Sequence, residues 1–480
     1  MAVNVVNPNN PDFTCQAYKE MKVHWELPIA LWGGTLAMRE YGVTYLPMHP
    51  AETKKFYSAR LNRTVLRNFY QKTIVNLVSK VFSKQIVIGD DVEADIVAML
   101  ENVDLGGRHL NVFARDVFED ACNKGLSHIM VDFPTSPVPE GTTPTLADER
   151  KAGNRPYAVH VKAEQVINWR SKLVNGEEIL TLVVITEELP EEDGLFGEVI
   201  TQQIRVLRPG SWELWRPVKG GWAIHLSGKT SLDVIPLVTI YTKRTHFMQA
   251  VPPLEDLAYT NLEHWQVRSD QRTALSYCSF PILAASGWNS EDDGEVTIGP
   301  NKMLTTKDPA GKFYYLESGG AHLAAGQEEL ENLENSMRLY GLQFEVPGSG
   351  DATATARSID AAEGAAPLKR WAIGLGDGLE QMLMLFNKWL KRDPKKSGSL
   401  TVNQDIGISL KDAQEIELLY KARTSREISQ ETFLDELKRR GVLREDFDIK
   451  TEVSNTIDEA TEMLKLEAKF SDNTGAANDE

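Results

Sequence analysis

The residues best suited to chemistry are a phosphate-loop-like tetrapeptide, two clusters of acids and nine scattered histidines. Ser227-Gly228-Lys229-Thr230 resembles the end of G-x-x-x-x-G-K-[ST], whose backbone amides and lysine cradle phosphates. The pattern requires glycine at 223, where this chain has Ala223. The tetrapeptide leads to Asp233-Val234-Ile235-Pro236 rather than to a helix whose N-terminus could face a phosphate. It reads as a hairpin turn. Glu187-Glu188 and Glu191-Glu192-Asp193 invite an acid/base reading, but they read as a Pro/Gly loop with nothing to desolvate them. A catalytic carboxylate needs burial or a close partner to move its pKa. The histidines, among them His24, His49, His109, His128 and His264, form neither H-x-x-x-H nor H-E-x-x-H, so no local metal site is implied. No catalytic residue, cofactor or metal is expected.

A different stretch has features worth positioning. Val346 to Thr355 is built from small residues, Pro347, Gly348, Ser349, Gly350, Asp351, Ala352, Thr353, Ala354 and Thr355, which bury too little apolar surface to hold one conformation. It reads as a mobile loop lacking Lys and Arg until Arg357. Two helices precede it. The first opens at Pro252-Pro253-Leu254, proline being favoured in a first turn. It carries Leu254, Leu257, Ala258, Leu262 and Trp265 as one stripe that continues into Arg268, Ser269 and Arg272, and extends to Tyr277. The second, Ala321 to Tyr340, carries Leu323, Leu330, Leu333, Met337 and Tyr340 on one side. Glu328, Glu329, Glu331 and Glu334 crowd its first half, where the helix dipole favours negative charge. Between the helices, Phe280 to Ala284, Glu295 to Ile298, Met303 to Thr306 and Phe313 to Leu316 read as short strands. After the loop, Leu368, Ala372, Leu375, Leu379, Met382, Leu383, Phe386 and Leu390 keep helical register, with Gly364, Pro367, Gly374, Gly376 and Gly378 inviting a kink.

Elsewhere, residues 1–50 read as short helical turns and an extended arm. From Phe56 to Val81 an amphipathic helix is expected with a basic half, Lys54, Lys55, Arg60, Arg63 and Arg67, read as a solvated face. Helices at 92–100 and 110–124, the latter closed by Gly125, lead to a strand at 127–133. Residues 134–154 read as an exposed loop. Strands are expected next at 157–161, 179–186, 199–207, 212–216, 222–225 and 237–241. Asn175-Gly176 is the hairpin signal between the first two, giving a mostly antiparallel region over 155–245. A strand at 400–402, helices at 412–421 and after the N-cap Ser429, and a polar tail expected to be disordered complete an α+β chain.

With 480 residues the chain holds two to four structural regions. A formal charge of −17 excludes a surface that grips nucleic acid by neutralising many phosphates. An acidic wall instead lets a duplex slide. Three separated cysteines, Cys15, Cys122 and Cys278, fit a reduced compartment, and the start MAVNVVNPNNPDF lacks the features of a signal peptide. Neither export nor membrane insertion is expected.

Arg155-Pro156-Tyr157, Ile167-Asn168-Trp169-Arg170, Arg205-Val206-Leu207, Ile235-Pro236-Leu237-Val238, Pro252-Pro253-Leu254-Glu255-Asp256-Leu257-Ala258, Ser269-Asp270-Gln271 and Ala352-Thr353-Ala354-Thr355-Ala356 stand in an order and spacing that carry a resemblance. Over most of residues 15–450 the chain resembles the portal proteins of tailed bacteriophages, in a portal-like group found in phages and prophages. The resemblance implies a dodecameric ring at one capsid vertex. Through it the terminase drives double-stranded DNA, which is later retained and ejected. Residues 1–250 would form the wing, 251–277 and 321–341 the stem helices, and 278–320 the clip. Residues 342–358 would form the tunnel loop, 359–405 the long kinked helix and wing return, and 406–480 the crown and tail. The implied partners are the large terminase, head-completion or adaptor proteins, and the major capsid and scaffolding proteins. The implied location is the virion vertex, and the host cytoplasm during assembly. The ring is not itself an ATPase. The tunnel loop offers Pro347, Gly348, Ser349, Gly350, Asp351, Thr353 and Thr355. Arg268, Arg272, Lys302 and Lys307 are the basic positions for DNA or terminase, with inter-subunit ion pairs as the competing use. Two other classes stay open: a prophage-encoded enzyme acting on nucleotides or nucleic acid, and a head-associated structural protein outside the channel.

Overall fold

The computed structural model describes residues 7–134, 154–279, 282–286, 309–316, 321–342, 354–404, 411–439, 442–443 and 447–456. The chain is a mixed α+β protein in two compact units. One comprises Met1–Phe344 with Ala365–Ile406, the other Glu345–Gly364 with Gly407–Glu480.

The first unit opens with α1 (Gln16–Trp32) and α2 (Gly34–Tyr41). Where short helical turns and an extended arm are expected, α1 is a 17-residue helix that holds Pro28 in its interior. Burial overrides the proline penalty of about 3 kcal/mol: Trp25, Leu27, Ala30 and Leu31 are all buried, and Trp25 Nε1 donates to the Lys124 carbonyl at 2.8 Å. The single helix expected from Phe56 to Val81 is two, α3 (Lys54–Arg63) and α4 (Phe69–Val81). Thr64 leaves α3 in extended backbone, and Asn68 restarts the chain as the cap of α4 by accepting from the Gln71 amide at 2.9 Å.

β1 (Val87–Ile88), α5 (Ala94–Leu100) and α6 (Leu110–Lys124) come next, and Gly125 ends α6 with φ of 92°. A side chain there would also run into Val251, whose carbonyl oxygen would stand 2.3 Å from its Cβ. β2 (Leu126–Asp132) is the centre of a three-stranded antiparallel sheet, between β3 (Tyr157–Val161) and a later strand. The chain then builds β4 (Val166–Val174), β5 (Glu177–Asp193), β6 (Gly197–Arg208), β7 (Ser211–Val218) and β8 (Gly221–Lys229), a five-stranded meander in that order. Asn175-Gly176 does make the turn, with φ of 53° and 86°, but it joins β4 to β5. β4 is absent from the sequence reading, because Asn168, Arg170, Ser171 and Lys172 mask its alternation.

Two further corrections fall in this sheet. Ser227-Gly228-Lys229 is the end of β8, paired with Ser211 to Glu213, and not a hairpin turn. Trp212 packs where a Cβ on Gly228 would be, 2.8 Å away, so this glycine makes room for an indole rather than for a phosphate. Glu187 to Asp193 is strand and not loop. Two of its acids are ion-paired: Glu187 Oε1 with Arg205 Nε at 2.5 Å, and Glu191 Oε1 with Arg216 at 2.8 Å.

β9 (Leu237–Tyr241) completes the three-stranded sheet, and β10 (Arg244–His246) pairs with β11 (Gln249–Ala250). The two long helices are α7 (Glu255–Ser279) and, after β12 (Ile282–Ser286) and β13 (Lys312–Leu316), α8 (Ala321–Leu342). Pro252 and Pro253 lie just before α7 rather than in its first turn. Leu254 accepts from the Ala258 amide at 3.1 Å, and Glu255 and Asp256 meet the positive end of the helix.

α9 (Ala354–Trp389) buries Leu368, Ala372, Leu375, Leu379, Met382, Leu383 and Phe386 completely, as their register requires. A Cβ on Gly378 would stand 1.9 Å from Ile240 Cδ1 of β9, so close helix–strand packing is the use the fold makes of this glycine. β14 (Leu400–Thr401) pairs with β1. Between α6 and the meander, Lys124, 4% exposed, is enclosed by Asp120, at 2.6 Å, and Glu164. Burial works against both charges of the Lys124–Asp120 pair, yet their mutual attraction leaves Asp120 well below the usual carboxylate range and raises Lys124.

In the second unit, α10 (Lys411–Thr424) and α11 (Gln430–Arg439) pack together. Ser429 caps α11, its Oγ accepting from the Thr432 amide at 3.1 Å. Residues 449–456 are helical, and Gln430 donates to Thr456 at 2.8 Å.

Candidate functional site

α7 is 25 residues long, about 37 Å at ~1.5 Å per residue. α8 runs back along it, since His264 meets Glu334 while Gln271 meets Leu323. The two helices form an antiparallel hairpin. The strands that leave and re-enter it, β12 and β13, pair antiparallel from Ile282–Leu316 to Ser286–Lys312, so the hairpin continues as a two-stranded ribbon. Of the four short strands expected here, those at 295–298 and 303–306 lie outside the described residues.

The apolar stripe of α7 buries Leu254, Leu257, Ala258 and Trp265, while Leu262 is half-buried against the same core. Past Trp265 the buried contacts turn polar. Ser269 is 1% exposed and lies 3.0 Å from the Thr64 hydroxyl and 3.4 Å from an Arg60 Nη. Arg60 is 2% exposed. It grips both oxygens of Glu52, at 3.0 and 2.8 Å, and donates to the Pro47 carbonyl at 2.6 Å. The Arg60 hydrogen bonds hold the Glu52 carboxyl below its ordinary pKa, against the opposing effect of burial.

Lys54, Lys55, Arg63 and Arg67 are exposed, as the solvated-face reading expects, and Arg60 is the exception, fully buried. Arg60 braces α7 from beneath, Arg63 donates to Thr273 at 3.0 Å, and Arg67 pairs with Glu334 of α8. Only helical spacing was visible in the sequence. The signal that distinguishes these arginines from Lys54 and Lys55 is their register on α7, which requires the tertiary fold.

The same register explains Ser269-Asp270-Gln271. Ser269 closes the Arg60 brace, Asp270 Oδ1 lies 3.1 Å from His49 Nε2, and Gln271 donates to the Leu323 carbonyl at 2.7 Å. Three consecutive side chains thus tie α7 to three different parts of the chain.

Beside this brace, α7 and α8 leave a cleft of about 430 Å³. Arg67, Arg268, Arg272 and Glu334 line it together with the apolar side chains of Leu275, Leu323 and Leu330. Glu334 is half-buried among Arg67, His264, at 3.3 Å, and Arg338, at 3.5 Å. Burial raises its pKa, but the Arg67 guanidinium and the hydrogen bond with His264 outweigh it and hold the carboxyl below the ordinary range. Burial likewise lowers His264 and Arg268, and the neighbouring Arg67 and Arg272 press Arg268 further down. Arg268 and Arg272 have no ion-pair partner among the described residues. The cleft can bind an anion, but it presents no nucleophile paired with a base.

Lys302, Lys307 and Pro347, Gly348, Ser349, Gly350, Asp351 and Thr353 lie outside the described residues, whereas Thr355 is in the first turn of α9. α9 begins at Ala354, inside the segment 342–358 expected as a loop. Ala352 to Ala356 is rich in good helix formers, and alanine costs nothing in a helix where it costs order in a loop. Among the described residues no group of His, Cys, Asp or Glu has the arrangement of a metal site, and no helix is long and apolar enough to cross a membrane.

Comparison with known proteins adds three findings. A family described as "Domain of unknown function (DUF4055)" matches residues 253–390, from the start of α7 to the end of α9 and under a third of the chain. No curated protein matches. Solved structures similar to this chain include one from the neck of the native GTA particle computed with C12 symmetry. It shows 11% identity and a TM-score of 0.41, with 84% of this chain and 98% of the other covered. Another comes from the virion of the native gene transfer agent particle, at 11% identity and TM-score 0.41, covering 85% and 98%. A third comes from the neck of the empty GTA particle computed with C6 symmetry, at 12% and 0.40, covering 75% and 87%. Likenesses at that level do not define the architecture of this chain.

Proposed function

We propose that this chain is a portal protein, one subunit of a dodecameric ring at a single capsid vertex. The observation that carries the reading is the antiparallel α7–α8 hairpin continued by the β12–β13 ribbon, braced at its base by Arg60 and Arg67. That is the order of stem, clip and stem that the motif resemblance implies. A helix pair of this length with exposed apolar side chains, Tyr259, Leu275 and Leu339 among them, gains by packing against neighbours, and a ring supplies them.

In this reading the ring is the channel for DNA packaging by the large terminase, then for retention and ejection. It is also the platform for head-completion and adaptor proteins and a contact of the capsid and scaffolding proteins. It works in the virion, after assembly in the host cytoplasm, without catalysis or cofactor of its own. Twelve copies would carry formal charge on the order of −200, which discourages phosphates from adhering to a wall.

Native mass spectrometry of the full chain tests the proposal. A closed ring of defined subunit number is expected, and excising residues 348–353 should leave the subunit number unchanged while impairing DNA packaging. A stable monomer that hydrolyses ATP would contradict the proposal.

A further inference from the structure

The cleft and the outer side of α8 differ in charge. Arg268 and Arg272 stand in the cleft without ion-pair partners among the described residues, beside Leu275, Leu323 and Leu330. On α8, Glu328 and Glu331 are three residues apart, exposed, and outside any ion pair among the described residues; Glu331 only accepts from Gln327 of its own helix, at 2.9 Å. Leu339, 54% exposed, continues that side. One hairpin therefore carries a cationic, partly apolar groove and, beside it on α8, an acidic, partly apolar ridge.

We propose that the cleft seats the Glu328–Glu331 face of α8 from a second copy of this chain, Arg268 and Arg272 pairing with those carboxylates. Two different patches meeting in this way make a heterologous, head-to-tail contact, the kind that closes into a ring. The inference rests on the ring reading and gives it an interface. A duplex phosphate would satisfy the guanidiniums but leave the lining leucines bare, in a chain of formal charge −17. An amphipathic helix bearing carboxylates covers both.

The test uses the full chain as wild type, as Arg268→Glu/Arg272→Glu, as Glu328→Arg/Glu331→Arg, and as the fourfold exchange, each followed by analytical ultracentrifugation. Each double variant alone juxtaposes like charges and should associate about tenfold more weakly or worse. A one-to-one mixture of the two should recover association, and so should the fourfold exchange, which also shows that the double variants fold. Double variants that assemble like wild type, or losses that neither the mixture nor the exchange repairs, would overturn the inference. If the arginine variant assembles normally but loses binding to a duplex oligonucleotide, the cleft serves nucleic acid and the inference falls. Wild-type rings with unaffected variants defeat this interface alone, whereas a wild type that never associates defeats the ring reading with it.

Discussion

Gln271 of α7 occupies the space that a side chain on Gly326 of α8 would need: a Cβ there would stand 2.1 Å from Gln271 Oε1. The amide end of the same side chain donates to the Leu323 carbonyl at 2.7 Å, so the carboxamide cannot swing aside without losing that bond. The close approach of the two long helices passes through this pair.

Gly326→Ala is accordingly expected to destabilise the protein. Overpacking costs about 1–3 kcal/mol, while alanine returns up to about 1 kcal/mol in helix propensity. In a Gln271→Ala background the overpacking disappears, and the same substitution should become neutral or stabilising. Thermal melts of the four proteins in this double-mutant cycle measure the coupling. An equal effect of Gly326→Ala in both backgrounds would contradict the packing described.

Arg60→Met should lower stability by about 3–5 kcal/mol, because it leaves the half-buried Glu52 carboxylate without its guanidinium and removes the donor to the Pro47 carbonyl and the buried Ser269 hydroxyl. Arg60→Lys should restore little, since an ammonium cannot span both Glu52 oxygens. Chemical denaturation of the two variants reads this directly. A loss below about 1 kcal/mol for Arg60→Met would show that the brace is dispensable.

A pH dependence comes from His128 of β2, which is 1% exposed with Nδ1 2.9 Å from the Thr239 hydroxyl. Burial, aided by His160 and opposed by Asp120, pushes its pKa down to about 3. The folded state thus holds the ring neutral where the unfolded chain takes up a proton. The resulting stability is complete above about pH 6.5 and is lost as pH falls toward 3. At 1.36 kcal/mol per pH unit the full span is of order 5 kcal/mol. His128→Gln should flatten the slope of stability between pH 6.5 and 4 relative to wild type; an unchanged slope would assign the acid sensitivity to other groups.

How much of this was legible in the sequence depends on which interactions are local. The stripes of α7, α8 and α9, the Asn175-Gly176 turn, the Gly125 stop and the Ser429 cap were readable, because each depends on residues a few positions apart. α1 was not, since Pro28 argues against a helix unless the burial of Trp25 and Leu31 is known. The acids of β5 read as loop for a similar reason: their partners, Arg205 and Arg216, lie on other strands.

The candidate site divides the same way. Arg268 and Arg272 were found by their continuation of the α7 stripe, but Arg60, Arg67 and Glu334 were missed as its framework. Those pairs span some 200 positions and more of sequence, as in the 209 between Arg60 and Ser269 and the 267 between Arg67 and Glu334. No periodicity encodes such distances.

Negative-stain imaging of the purified full-length chain tests the central proposal most directly. Top views showing rings with a central hole and about twelve-fold symmetry are expected of a channel-forming ring. Particles that remain monomeric at every concentration and hydrolyse ATP would contradict it.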